Sequence, residues 1–247
     1  MNEQERLFKR LNERFVRAFV TYKLLEDDDR VLIGLSGGKD SLLLTELLAK
    51  RAHIGHPGFR VEAIHVRMEN VSYETSTDYL QRFCDNLSVP LHLVTARFDS
   101  SQPKDSSLKD KPACFLCSWY RRKQFFNLAQ ELGCNKIALG HHRDDIIRTA
   151  LMNLTFQGRF DAMPARLKMR KMPLTIIRPL CLIDEADISR YAELSHYKKL
   201  MKLCPYERET NRTAIGEVYE TMQRINPEAR FSLWRALETA GKLTEDY

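Results

Sequence analysis

Apolar side chains recur at Leu7, Leu11, Phe15, Ala18, Phe19 and Tyr22. Steps of three and four residues put them on one face, so an amphipathic helix is predicted over Glu3 to Leu25. The pattern then changes to short apolar runs at Arg30–Leu35, Val61–Val66, Leu91–Thr95, Lys136–Leu139 and Leu174–Ile177, which read as strands. Segments of helical period separate them: Ser41–Ala52, Glu74–Leu87, Cys117–Leu132 and Asp144–Leu154. Gly133 stands where a helix C-cap belongs. Helical spacing returns over Asp184–Ser195, Arg212–Ile225 and Pro227–Ala240, with Asp184 suited to an N-cap. Alternating strands and helices predict an α/β fold, a parallel five-stranded doubly wound sheet with an N-terminal helix and a C-terminal helical extension. The expected domains are residues 1–27, 28–182 and 183–247. In such sheets ligands bind beyond the C-terminal ends of the strands.

Two stretches lack this periodicity. Arg97 to Ala113 is polar and rich in Ser, Lys and Asp, and is expected to be a mobile cover for a site. Asn153 to Pro179 holds Arg159, Arg166, Lys168, Arg170, Lys171 and Arg178 against one acid, Asp161. Across all 247 residues the net charge is +6, which suits a nucleic-acid partner as well as a basic soluble enzyme. The 43% hydrophobic content can build a core. No apolar run approaches the roughly 20 residues needed to cross a bilayer. Met1 to Arg10 is polar and charged, which argues against a secretory signal. A cytoplasmic protein with no membrane partner is expected, and its six cysteines are expected to be thiols or metal ligands.

The chemistry begins at Ser36-Gly37-Gly38-Lys39-Asp40-Ser41, between the first strand and its helix. Adjacent glycines let the backbone turn sharply and present several N–H groups to an anion. The helix N-terminus and Lys39 add positive charge, so a phosphate group fits. This is not the Walker A loop G-x-x-x-x-G-K-S/T, because Asp40 follows Lys39 and the upstream glycine is missing. The hexapeptide resembles the PP-loop of ATP pyrophosphatases, which cleave ATP to AMP and pyrophosphate.

Two further motifs follow. Cys114 and Cys117 form a CxxC pair that can share a metal, directly before Trp119-Tyr120-Arg121-Arg122-Lys123. Cys84, Cys134 and Cys181 read as buried structural thiols, whereas Cys204 sits in an irregular stretch where a ligand projects freely. Three cysteines suit an iron–sulfur cluster with one iron left without a protein ligand. Gly140-His141-His142-Arg143-Asp144-Asp145 occupies another strand-to-helix corner. Its paired carboxylates suit either Mg2+ bound to phosphate oxygens or capping of the helix that follows.

Together these segments resemble the tRNA 2-thiocytidine synthetase family, over most of the chain from about Leu11. The resemblance rests on SGGKDS, CxxC with its nearby arginine, Lys136-Ile-Ala-Leu-Gly-His-His-Arg-Asp-Asp145, Ile177-Arg-Pro-Leu180 and the late Cys204. It implies adenylation of O2 of a cytosine in tRNA by ATP and Mg2+, then displacement of AMP by sulfur. It implies a 4Fe-4S cluster on Cys114, Cys117 and Cys204, with a cysteine desulfurase or other sulfur donor as partner. Lys39, Asp40 and Asp145 join the three cysteines as the catalytic set it implies. ATP would lie against Ser36 to Ser41, His65, Val66, Arg121, Gly140 and Asp145. The basic segment Arg159–Arg178 with Arg121, Arg122 and Lys123 is the candidate tRNA surface, and a homodimer is among the assemblies allowed. The rival readings are a PP-loop thiolase or ligase acting on another base or a small molecule, and a non-enzymatic nucleotide-binding iron–sulfur sensor.

Overall fold

Asn2 starts the first helix: its side chain accepts the Glu5 N–H at 2.8 Å, and the Glu5 carboxylate accepts the Asn2 N–H at 2.9 Å. The computed structural model describes residues 1–69, 71–73, 76–97, 111–198, 200, 202–203 and 211–245. In chain order the first elements are α1 (Glu3–Tyr22), β1 (Arg30–Gly34), α2 (Lys39–Ala52), β2 (Arg60–Met68), β3 (Ser72–Tyr73) and α3 (Asp78–Asn86). Next come β4 (Leu91–Ala96), α4 (Ala113–Glu131), β5 (Lys136–Ala138), α5 (Arg143–Gln157), β6 (Arg166–Lys168) and β7 (Thr175–Ile177). The last are α6 (Glu185–Leu194), β8 (Lys202–Leu203), α7 (Asn211–Ile225), α8 (Ala229–Thr239) and β9 (Thr244–Glu245).

All six apolar positions expected on α1 are buried. The helix stops before Leu25 because Lys23 turns left-handed at φ +49°. All five expected strands form, so the α/β reading holds; β6 and β9 add to them, and β3 and β8 form a separate antiparallel pair. α4 begins four residues before the expected Cys117, so both cysteines of the pair lie on the helix. α3 begins at Asp78, four residues after the expected Glu74.

The chain forms two compact units. One comprises Asp27–Ile137 and Tyr197–Arg208; the other comprises Met1–Glu26, Ala138–His196 and Glu209–Tyr247.

In the first unit the strands stand in the order β4-β2-β1-β5. β1 and β2 pair in parallel, with Gly34 opposite Ile64, and β2 and β4 pair in parallel, with His65 opposite Leu93. β1 is buried from Val31 onward, as a strand covered on both faces must be. At the N-terminal end of the sheet, Lys136 and Asp29 form a buried ion pair at 2.7 Å, and Asn135 donates to Asp29 at 2.8 Å. The C-terminal ends of the strands open onto the SGGKDS turn.

In the second unit β7, β6 and β9 are neighbours, with β6 antiparallel to β7 and parallel to β9. Beyond β5, the Leu139 N–H donates to Ile177 O of β7 at 3.0 Å. α1 and α6 are tied by Arg14 to Asp184 (3.0 Å) and to Asp187 (2.8 Å). Asp184 holds the expected N-cap position of α6, but its side chain does not cap the helix. Its carboxylate instead receives Arg143 at 2.9 Å, and the Asp144 carboxylate accepts the Glu185 N–H at 2.7 Å. The buried Arg143 guanidinium decides this exchange, since a charge out of water needs a charged partner more than an amide does.

Candidate active site

The turn after β1 keeps its shape through its own hydroxyls. Ser41 Oγ accepts the Gly37 N–H at 3.2 Å and donates to Gly38 O at 2.9 Å. Ser36 Oγ accepts the Gly38 N–H at 3.3 Å and donates to Ser41 Oγ at 3.1 Å. Gly37 lies at φ +84°, where a side chain is strained. Lys39 opens α2, and its ammonium lies 3.2 Å from Asp40. The first-turn amides of a helix have no intrahelical acceptor, so this N-terminus faces the turn with donors and partial positive charge. The arrangement can hold phosphate oxygens.

The turn forms one wall of a cleft of ≈ 210 Å³. Ser36, Gly38 and Leu35 meet His65 and Val66 of β2, Arg121 and Phe125 of α4, and Leu200. Parallel pairing of β1 with β2 explains the first contact: Leu35 N–H donates to Ile64 O, so His65 follows directly beside the loop. His65 is 3% exposed, and its Nδ1 lies 2.8 Å from Leu35 O. A carbonyl only accepts, so Nδ1 carries the hydrogen and Nε2 presents a lone pair. Nε2 has no hydrogen-bond partner among the described residues. Burial, then the charges of Arg121 and Arg67, hold the imidazole pKa below its ordinary value despite the Leu35 bond, so the ring stays neutral.

Cys114 and Cys117 lie in the first turns of α4, exposed and half-buried respectively. Arg121 stands one turn further on, and its Nη2 donates to Cys117 Sγ at 3.8 Å. The same side chain lines the cleft, so Arg121 reaches both Cys117 and the cleft that the phosphate-binding turn borders. Cys204, the expected third ligand, lies outside the described residues, as does most of the expected cover loop, residues 98–110. Cys84, Cys134 and Cys181 are buried, and burial pushes their thiols up to about 12, 11 and 12.

Gly140 and Asp145 belong to the other unit. Gly140 leads from β5 into α5, and Asp145 stands in the first turn of that helix, where its carboxylate accepts the His142 N–H at 3.3 Å. The adjacent carboxylates are unequal. Asp144 is buried and committed to the Glu185 amide, whereas the Asp145 side chain is 20% exposed. Of the two, Asp145 is the hard oxygen donor suited to Mg2+.

Arg178 corrects the expected basic surface. It is buried, donating to Pro164 O and, at 3.3 Å, to His141 Nδ1. Arg159, Lys168, Arg170 and Lys171 do face solvent. Burial of the His141 ring, then the Arg178 charge, push its pKa down to about 4, although Asp145 pulls it up. The unfolded chain takes up this proton near pH 6.5, and the folded chain does so only near 4. Stability from this group is therefore full above pH 6.5 and falls as the pH drops towards 4, by up to one proton's slope. Urea midpoints should decline more steeply over that window in the native chain than in His141→Gln. Equal slopes would overturn the assignment.

The sequence did not single out Phe125 or Leu200. Phe125 stands four residues after Arg121, so helical spacing alone points it towards the same side. Nothing local marks Leu200, which reaches the loop only through tertiary contact, its N–H donating to Gly37 O at 3.0 Å.

Comparison with known proteins adds to this geometry. A family profile described as a PP-loop domain matches residues 5–214. The chain is 35% identical to the tRNA-cytidine(32) 2-sulfurtransferase of Bordetella avium, over 95% of this chain and 74% of that one. The proteins of the same name from Acinetobacter baumannii and Shewanella putrefaciens are 32% and 33% identical, over 94% of this chain and 77% and 74% of their own lengths. Among solved structures, the U34-tRNA thiolase NcsA from Methanococcus maripaludis, with its 4Fe-4S cluster, superposes with a TM-score of 0.74. That match has 25% identity and covers 96% of this chain and 79% of the thiolase.

Proposed function

The chain belongs to the PP-loop family of tRNA-cytidine 2-sulfurtransferases, and from that premise we propose that it replaces the 2-oxygen of a tRNA cytidine by sulfur at the expense of ATP. The observation that carries this reading is Arg121, which lines the cleft beside the PP-loop and donates to the Cys117 sulfur.

The C2 carbonyl of cytosine is a poor electrophile until its oxygen becomes a leaving group. Cytosine O2 attacks the α-phosphorus of ATP, the bond to the bridging oxygen breaks, and pyrophosphate leaves. Sulfur then attacks C2, the C2–O2 bond breaks, and AMP departs with the oxygen. The first-turn amides of α2 and Lys39 hold the phosphates where charge develops on pyrophosphate, in a turn whose shape the Ser41 and Ser36 hydroxyls fix by accepting the Gly37 and Gly38 N–H groups. Asp40, 3.2 Å from the Lys39 ammonium, positions it. Asp145, in the first turn of α5, is the carboxylate that the family resemblance assigns to the Mg2+ that accompanies ATP. Val66 gives the nucleotide an apolar wall beside the PP-loop.

The soft thiolates of Cys114 and Cys117, three residues apart on an open helix start, fit iron, with Cys204 as the third ligand of a 4Fe-4S cluster. When bound, that cluster would present sulfide-level sulfur for this attack; a cysteine desulfurase or equivalent donor would replenish it in the cytoplasm, with two electrons from a thiol or other reductant to bring persulfide sulfur to that level.

His65, neutral and fixed by its Nδ1 bond to Leu35 O, forms part of the cleft wall beside the PP-loop against which the nucleotide lies. Anaerobically purified protein with tRNA and ATP should therefore form AMP, pyrophosphate and 2-thiocytidine, the last read by nucleoside mass spectrometry. Pyrophosphate release without a thiolated cytidine would overturn the substrate and favour a small-molecule ligase. Absence of both products would favour a sensor.

A further inference from the structure

The first half of α4 carries an aromatic and basic stripe that the chemistry above does not use. Phe115, Trp119 and Lys123 follow at four-residue spacing, one face of a helix, and Lys111 precedes Phe115 by the same interval. Phe115 is 40% exposed; Lys111, Arg122 and Lys123 face solvent; Trp119 is half-buried. Lys123 Nζ lies 5.4 Å from the Trp119 ring centroid, and Lys111 Nζ lies 5.9 Å from that of Phe115. From residue 111 to residue 123 the cations are Lys111, Arg121, Arg122 and Lys123, and there is no Asp or Glu.

We propose that this stripe docks unpaired RNA, its bases stacking on Phe115 and Trp119 and its phosphates meeting Lys111, Arg122 and Lys123. The inference rests on the tRNA thiolase reading and names the part of the tRNA that this face takes: a loop, not a stem. Basic side chains alone would suit any polyanion. Aromatic faces are useful only to bases that have left their own stack, and a duplex keeps its bases stacked and shows its backbone. The lysines poised over the rings make the exchange inexpensive: each ammonium moves to a phosphate and leaves a ring face for a base. Phe115 stands between Cys114 and Cys117 on the same turn, so a base stacked there lies beside the sulfur chemistry.

The test uses the full chain with a labelled RNA stem–loop and a blunt duplex of the same stem. Trp119→Leu and Phe115→Leu should each weaken stem–loop binding by about 5- to 150-fold, the range of one lost stacked base. Duplex and ATP affinity should stay within twofold. Lys111→Ala and Lys123→Ala should each lower the slope of log affinity against log salt by about 0.7. Trp119→Phe, which keeps a ring face, should retain most of the affinity. Native protein that binds duplex as tightly as stem–loop, or leucine variants that bind stem–loop within twofold of native, would overturn the stripe. Either result can occur with thiolation intact, so failure of the stripe is distinct from failure of the thiolase reading.

Discussion

Gly37→Ala is expected to abolish most ATP-dependent thiolation, lowering kcat/KM for ATP about 10²–10³-fold, the scale set by losing aligned donors at a developing anion. Two facts produce the loss. Gly37 sits at φ +84°, where a side chain costs roughly 1–2 kcal/mol. A Cβ there would also stand 2.6 Å from Leu200 Cβ, far inside contact distance. The loop would have to leave Leu200, breaking the Leu200 N–H bond to Gly37 O and displacing the Gly37 amide from Ser41 Oγ. The identity of the clashing atom makes the cause testable. Leu200→Ala keeps the Cβ and should not rescue Gly37→Ala. Leu200→Gly removes it and should recover about tenfold, leaving the backbone cost in place. Steady-state kinetics across ATP concentrations read both effects, with circular dichroism to establish folding. Gly37→Ala within threefold of native activity would exclude the loop as the phosphate site.

Cys114→Ala and Cys117→Ala are expected to eliminate thiolation outright while ATP still binds. Cys117→Ala removes one weak hydrogen bond from Arg121, at 3.8 Å, so ATP affinity should change less than about fivefold, on the scale of roughly 1 kcal/mol. Nucleoside analysis of treated tRNA reads the first outcome and ATP titration the second. Anaerobic native protein should carry iron and acid-labile sulfide that both variants lose. Persistence of 2-thiocytidine in either variant, or a single zinc with no iron in the native chain, would remove the sulfur-carrier role of the pair.

Much of the site was legible because its parts are contiguous. SGGKDS needs only its own six residues to turn, and its flanking periodicities to place that turn between strand and helix. The CxxC–Arg121 relation is equally local, a matter of one helical turn, although α4 starts earlier than its apolar pattern indicated. The adjacent carboxylates were not separable in the same way. Asp144 and Asp145 are chemically identical in sequence, and what distinguishes them is Glu185, forty-one residues from Asp144, whose amide Asp144 accepts. Arg178 looked like its basic neighbours until burial against Pro164 and His141 removed it from the surface.

Sequence alone therefore determined the α/β order, the phosphate-binding turn, the cysteine pair and the sulfurtransferase resemblance, because each depends on side chains within a turn or two of one another. Tertiary structure decided which lone pair His65 offers, which acid stays available, and why Gly37 admits no side chain. Those properties depend on Leu35, Glu185 and Leu200, residues that are distant along the chain and that packing brings to hydrogen-bond or contact distance.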